Sequence, residues 1–429
     1  MDRTPTRMIC RFAPIVSSGV PGWRVHRLVA VIGLWLNSAV TIANADVELP
    51  KTGLQADEVA VVVNDDDPMS VRIAEYYQKR RGIPAGNILH VRFPPNGPTL
   101  SRALFKPIRE AVLAESGPKI QAYALAWTRP YRVDCMSITS AFAFGFDAAY
   151  CSAIPCGDTK PSAYFNTATH SPFQDAGIRP AMLLAGKSLS EVKRLIDRGI
   201  ASDFTYPDHT GYLLNTKDRH RSVRAVFFDD AVKNLGEAFH LERLDADSIK
   251  NKTDVLFYFT GVKWVENLPS LRFVPGAIAD HLTSTGGDLD GSRQMSSLRW
   301  LEAGATGSFG TVVEPCNHVQ KFPIPSVAIW YYAQGNSLIE AYWKSVAWPG
   351  EGLFIGEPLA RPFAPSLVDV KPDGATLKLF SPESKQAVLQ ASESPIGPFH
   401  DVANYPVKPG INSISIRLPE TNKQYRILF

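Results

Sequence analysis

The stretch Val59-Ala60-Val61-Val62-Val63-Asn64, followed at once by Asp65-Asp66-Asp67-Pro68, decides the fold. Five consecutive apolar residues, four of them valine, are too few for a buried helix and show no alternation with polar residues. They read as a strand covered on both faces. Three acids and a proline stop that strand, and the spacing predicts a helix over 70–81. A strand buried on both sides belongs to a parallel sheet flanked by helices.

Working outward, the same alternation recurs. Strands are expected over 88–91, 120–127, 181–185, 211–215, 254–260, 273–279 and 305–312. Helices are expected over 105–114, 188–200, 223–235 and 296–302, and within 329–346. Ser188 and Glu191 stand as in a capping box. The fold class is therefore α/β: a Rossmann-like, doubly wound, mostly parallel sheet. Residues 130–180 break the pattern with Ser, Thr, Pro, Gly and aromatic residues, and read as a long insertion at the strand ends. The Pro-rich stretch 357–366 reads as a linker. From 367 to 429 the apolar period becomes two, with turns such as Pro372-Asp373-Gly374 between the strands, which predicts a small β-sandwich.

The first 45 residues stand apart. Arg3, Arg7, Arg11, Arg24 and Arg27 precede an apolar run over 28–42, and Ala43-Asn44-Ala45 offers small residues at both positions that a signal peptidase reads. This is the pattern of an export signal, too short for a usual membrane span. Of 45 Lys and Arg and 42 Asp and Glu, five Arg and Asp2 precede residue 46, which leaves 40 against 41. The basic balance thus resides in the leader and gives no case for nucleic-acid binding. No later segment is apolar enough to span a membrane. Four cysteines follow the leader, and an even number in an oxidising compartment suggests two disulfides. The short loop between Cys151 and Cys156 makes them the first expected pair, which leaves Cys135 with Cys316.

Ligands of doubly wound sheets sit at the carboxyl ends of the strands. That rule collects 64–67, 127–129, 261–264, 280–285 and 314–318. The candidate catalytic groups are Asp280, His281, Glu314 and Cys316, because a thiol nucleophile needs a base that lowers its pKa. Asp65, Trp127, Ser284, Asn317 and His318 are the candidate binding groups. A metal set of Asp280, His281, Glu314 and His318 is weaker, since only Glu314 and His318 are four apart, in a proline-containing loop. Asp65-Asp66-Asp67 reads as a solvated turn capping the next helix before it reads as a cation site. Gly304, Gly307 and Gly310 are not a phosphate loop. Neither a metal nor a cofactor is expected.

Two resemblances rest on particular residues. The stretches 70–87 (SVRIAEYYQKRRGIPAGN), 275–287 (PGAIADHLTSTGG), 304–317 (GATGSFGTVVEPCN), 340–346 (EAYWKSV) and 354–360 (FIGEPLA) resemble an uncharacterised family of exported bacterial proteins. That family occurs in species with the exosortase (PEP-CTERM) sorting system that make extracellular polysaccharide. The element order is also similar to the gingipain-like cysteine peptidases of the caspase-haemoglobinase superfold. In those, a strand ends in Tyr-Thr-Gly-His-Gly, the next in the nucleophilic Cys, and Gly-Asp-Pro closes the domain before a β-sandwich. Here Phe259-Thr260-Gly261-Val262-Lys263 puts Val262 where the His belongs, no Cys occurs over 276–287, and Gly356-Glu357-Pro358 resembles the closing motif. The resemblance implies a caspase/gingipain-like domain over 46–356 without its His–Cys dyad. The function expected is binding of a peptide, protein or glycan of the envelope. The alternative is a hydrolase whose chemistry has moved to 280–285 and 314–318.

Overall fold

The computed structural model describes residues 47–154, 156–291, 293–420 and 423–429. The expected export signal over 1–45 lies outside them. Ten strands form the central sheet: Val59–Asn64 (β1), Ile88–Val91 (β2), Ala122–Leu125 (β3), Ala181–Leu183 (β4), Thr210–Asn215 (β5), Leu241–Asp245 (β6), Val255–Thr260 (β7), Phe273–His281 (β8), Gly307–Thr311 (β9) and Gly352–Gly356 (β10). Their spatial order is β6-β5-β7-β8-β9-β10-β4-β3-β1-β2. Neighbours pair parallel except β9 and β10, which pair antiparallel with Gly307 opposite Gly356. The sheet is thus two five-stranded parallel halves running in opposite senses and joined along that seam.

The opening valine run behaves as its composition requires. Val59, Val61 and Val63 enter one apolar cluster and Ala60 and Val62 the cluster on the other face. Helix Pro68–Arg81 (α1) follows, with Asp67 as N-cap accepting from the Met69 amide at 2.9 Å, Pro68 in the first turn, and Gly82 ending it at φ 68°. Helices Arg102–Glu115 (α2), Ile138–Phe144 (α3), Pro172–Ala176 (α4), Leu189–Ser202 (α5), Phe228–Leu235 (α6) and Leu298–Ala303 (α7) come next. The predicted helical stretch 329–346 is two helices, Pro325–Ala333 (α8) and Leu338–Ser345 (α9), because Gly335 takes φ 85° between them. Ser337 and Glu340 then form a capping box that starts α9.

The insertion 130–180 packs on the sheet through α3, whose Ile138, Ala141 and Phe142 are buried. Both disulfides involve it, but not in the expected pairing. Cys135 bonds Cys151, with Cα atoms 5.9 Å apart, and Cys156 bonds Cys316 at 5.3 Å. The expected Cys151–Cys156 bridge fails because the loop between them is held by other bonds. Ser152 donates its amide to Glu351 at 2.9 Å and its hydroxyl to the Gly157 carbonyl at 3.0 Å. Cys151 is buried beside Cys135, whereas Cys156 turns outward at φ 62° and meets Cys316, itself at φ 55°. Peptide mapping without reduction is expected to recover 135–151 and 156–316 cross-links; a 151–156 cross-link would refute this arrangement. The second bridge spans 160 residues of chain, so Cys156→Ser with Cys316→Ser is expected to lower unfolding free energy by about 2–4 kcal/mol in urea titrations.

Beyond the central sheet lie Ser366–Lys371 (β11), Gly374–Ser381 (β12), Lys385–Ser392 (β13), His400–Val407 (β14), Gly410–Arg417 (β15) and Gln424–Leu428 (β16). They form a three-stranded sheet, β11-β12-β15, and a second sheet, β16-β13-β14, extended by the short strand Val47–Glu48 beside β16. Alternate residues of both sheets, among them Leu377, Leu379, Leu389 and Ile427, share one apolar cluster. The segment 357–366 that leads into them is largely buried. Phe363 packs against both Phe239 and Phe380, with ring centroids 5.4 and 4.7 Å away. Glu357 has a fully buried side chain that accepts from Tyr77 at 2.8 Å and Arg81 Nε at 3.0 Å, anchoring the segment to α1.

Candidate functional site

The strand-end residues divide between the core and an open groove. Asp280 and His281 close β8 and are 0% and 1% exposed. Arg224, also buried, places a guanidinium nitrogen 2.6 Å from Asp280 Oδ1. Neither Asp280 oxygen has an aligned hydrogen bond. Burial pushes the Asp280 carboxyl up to about 6, against the pull of Arg224. His281 accepts from the Trp300 indole on Nδ1 at 2.9 Å, so its Nε2–H donates to the Met295 carbonyl at 3.1 Å. That pattern fixes one neutral tautomer and leaves no ring nitrogen free. Burial, with Arg224 and Arg221 nearby, depresses its pKa to about 3 although the Met295 carbonyl favours the charged form.

Glu314 and Cys316 lie elsewhere. They line a shallow depression of about 450 Å³ whose other walls include both disulfides, Ser152 and Glu351. Cys316 is bonded to Cys156 and has no thiol to ionise. The exposed Glu314 carboxylate accepts from the Cys316 amide at 2.9 Å. His318 contacts the Cys156 carbonyl at 2.7 Å, and Asn317 is exposed. Thus Asp280 and His281 share no surface with Glu314 and Cys316. Among the described residues, no group of three or more His, Cys, Asp or Glu is placed to hold a metal ion.

The remaining candidates have structural partners. Asp65 pairs with His90 at 2.7 Å and Arg92 at 3.4 Å. Trp127 is buried, donates to the Pro130 carbonyl at 3.0 Å and meets Phe93 edge-on at 5.1 Å. The Ser284 carbonyl accepts from Thr311 at 3.1 Å. Val262 is 8% exposed within an apolar cluster. Gly261 before it is required by packing, because a Cβ there would lie 1.9 Å from the Arg221 carbonyl oxygen.

A groove of about 850 Å³ opens at the strand ends, a size typical of ligand clefts. Its walls come from residues after β1 (Asp67), β3 (Thr128, Arg129), β4 (Gly186, Lys187) and β7 (Trp264, Leu268), and from 289–302 between β8 and β9. The strand-end rule had singled out Asp67, Thr128, Arg129 and Trp264. It missed the wall formed by Asp290, Met295, Arg299 and Glu302, whose sequence carries no strand-end signal. Tyr131 fixes that wall by donating to Asp288 at 2.5 Å, and Arg129 does so by donating Nε to Asp290 at 2.7 Å. Trp264 is 49% exposed, and the buried Val265 and Leu268 line the same groove.

No protein-family model matches the chain. No curated protein matches its sequence. Among solved structures, one described as "Structure of Protease" aligns at a TM-score of 0.46 and 9% identity, over 85% of this chain and 98% of that one. Likeness at that level carries no weight for activity. The similarity to the exosortase-associated family rests on the stretches quoted above alone. Among the described residues, no helix is long and apolar enough to cross a membrane.

Proposed function

We infer that this is an exported, non-catalytic binding protein: an α/β domain of caspase/gingipain-like descent, without its His–Cys dyad, that holds a peptide, protein or glycan of the bacterial envelope. One contrast carries the reading. The histidine, cysteine and aspartate singled out for chemistry are committed to structure, while the groove is open and carries a half-exposed tryptophan. His281 has both nitrogens bonded and a pKa of about 3, far from the range where a general base works at neutral pH. Cys316 is a half-cystine and Asp280 an ion-paired core residue. Two disulfides suit an oxidising compartment, which supports export. The leader over 1–45 and the stretches shared with exported proteins point the same way.

The alternative hydrolase needs loops 280–285 and 314–318 to face a common substrate, and their candidate groups do not. The test pairs turnover with binding. Mass spectrometry of peptide and oligosaccharide pools after long incubation between pH 5 and 9 is expected to find no cleavage. Intrinsic fluorescence with the same pools is expected to find saturable binding that Trp264→Ala removes. Cleavage abolished by Glu314→Ala in a fully folded variant overturns the reading.

A further inference from the structure

The charge layout of the groove restricts what can lie in it. Six ionisable side chains line it: Arg129, Lys187 and Arg299 against Asp67, Asp290 and Glu302. All six are engaged. Arg129 holds Asp290, Lys187 meets Glu302 at 2.8 Å, Arg299 meets the same Glu302 at 2.6 Å, and Asp67 caps α1. The wall is electrically balanced and offers no spare charge. A polyanion finds no excess of cations and a basic peptide no free carboxylate. An extended peptide is commonly gripped through the free edge of a sheet, and neither edge strand of the central sheet, β2 or β6, contributes a lining residue.

What the groove does offer is a different pair of features. Trp264 carries an indole, 49% exposed, in a groove that the buried Val265 and Leu268 also line. Such a ring combines a flat apolar face with a polar N–H. The same groove carries paired guanidinium, ammonium and carboxylate groups, which present donors and acceptors together with the hydroxyl of Ser296. A flat apolar platform flanked by neutralised, preorganised donors and acceptors matches a pyranose ring, which has an apolar C–H face and a rim of uncharged hydroxyls. We propose that the groove binds a neutral polysaccharide, one sugar ring stacking on Trp264 and neighbouring hydroxyls bonding to the Arg129–Asp290 and Lys187–Glu302 pairs. The proposal rests on the reading of the groove as the ligand site and names the ligand class.

The test uses the chain from residue 46 with its disulfides intact. It is probed on an array of neutral oligosaccharides of varied linkage, with polygalacturonate oligomers and a pool of end-blocked octapeptides alongside. Hits are titrated by tryptophan fluorescence. The expected result is binding to a neutral oligosaccharide that changes less than about two-fold between 50 and 500 mM salt, as an uncharged ligand requires. Trp264→Ala is expected to weaken it at least ten-fold with an unchanged Tm, and Trp264→Phe to retain part of it. Saturable octapeptide binding lost in Trp264→Ala, with the neutral sugars silent, overturns the sugar and leaves the groove as a binding site. A preference for the polyuronate with steep salt dependence overturns the neutral class. Sugar binding untouched by Trp264→Ala overturns the site, and silence from every probe overturns both the sugar and the binding function.

Discussion

Replacing Arg224 by methionine is expected to destabilise the protein by roughly 3–5 kcal/mol at pH 7, the usual penalty for leaving one member of a buried ion pair alone. The surroundings explain the size. The two side chains are each 1% exposed, with the Phe259 and Phe322 rings 5.7 and 6.0 Å from the guanidinium. Arg224 also donates to the carbonyls of Thr260 at 2.9 Å and Pro323 at 3.1 Å, and methionine leaves both without that partner. The Asp280 carboxyl, already pushed up to about 6 by burial, moves further up once the Arg224 cation is gone. The sign follows. A folded-state pKa above the unfolded value near 3.8 means stability that is present in acid and lost as pH rises through the folded pKa. The penalty of Arg224→Met is therefore expected to be smaller at pH 5 than at pH 7. The double variant Arg224→Met, Asp280→Leu is expected to recover part of the loss, short of the two abandoned carbonyls. Urea unfolding of these three proteins at both pH values measures this. A single variant within 1 kcal/mol of the parent at pH 7 would show that the pair is open to water.

That pair also explains why chemistry was easier to suspect from the sequence than to place. The run 280–285 reads as an acid, a histidine and three hydroxyls at a strand end, and strand ends are where ligands bind. Two facts turn the first two groups inward. Asp280 lies beside a cation supplied by Arg224, 56 residues earlier. His281 is clasped by Trp300 and Met295 from the segment that follows it. Long-range partners of this kind leave no local pattern. The rule succeeded at Thr128, Arg129 and Trp264, which keep contact with solvent and line the groove, although Arg129 and Thr128 also have distant partners in Asp290 and Gly186.

The fold was legible for a parallel reason. The valine run, the capping signals at Asp67 and Ser188, and the alternation of strands and helices are local, and each element appears close to its expected span. Two strands of the central sheet escaped. The half-buried edge strand β6, Leu-Glu-Arg-Leu-Asp, has the composition of a solvated turn. The seam strand β10 has glycine at both ends of five residues, and its β character comes from its neighbours. Missing β10 hid the reversal of direction between the two halves. The disulfide pairing escaped too, because proximity in sequence favoured Cys151 with Cys156, while Glu351 and Lys321 hold Ser152 in a position that separates them.

The pH dependence of stability should expose His281 directly. Its folded pKa of about 3 lies below the ordinary value of 6.5, so between those limits the unfolded chain binds a proton that the folded protein refuses. Stability from this group is complete above pH 6.5 and is lost as pH falls toward 3, by roughly 3 kcal/mol on reaching pH 4. Asp280 runs the opposite way between about 3.8 and 6, so the parent protein should change little between pH 6 and 4 from these two neighbours. His281→Gln separates them. Glutamine is uncharged at every pH and can accept from Trp300 and donate to Met295. The variant is expected to be less stable than the parent at pH 7, where only the fit of the ring is lost. The gap is expected to narrow by roughly 3 kcal/mol at pH 4, where the parent bears the cost of keeping its imidazole neutral. Urea midpoints of both proteins at pH 7, 5.5 and 4 decide it. A gap that stays constant across that range means that the ring takes up its proton in the folded state, and His281 then regains a role as an acid or base that its buried, doubly bonded setting otherwise denies it.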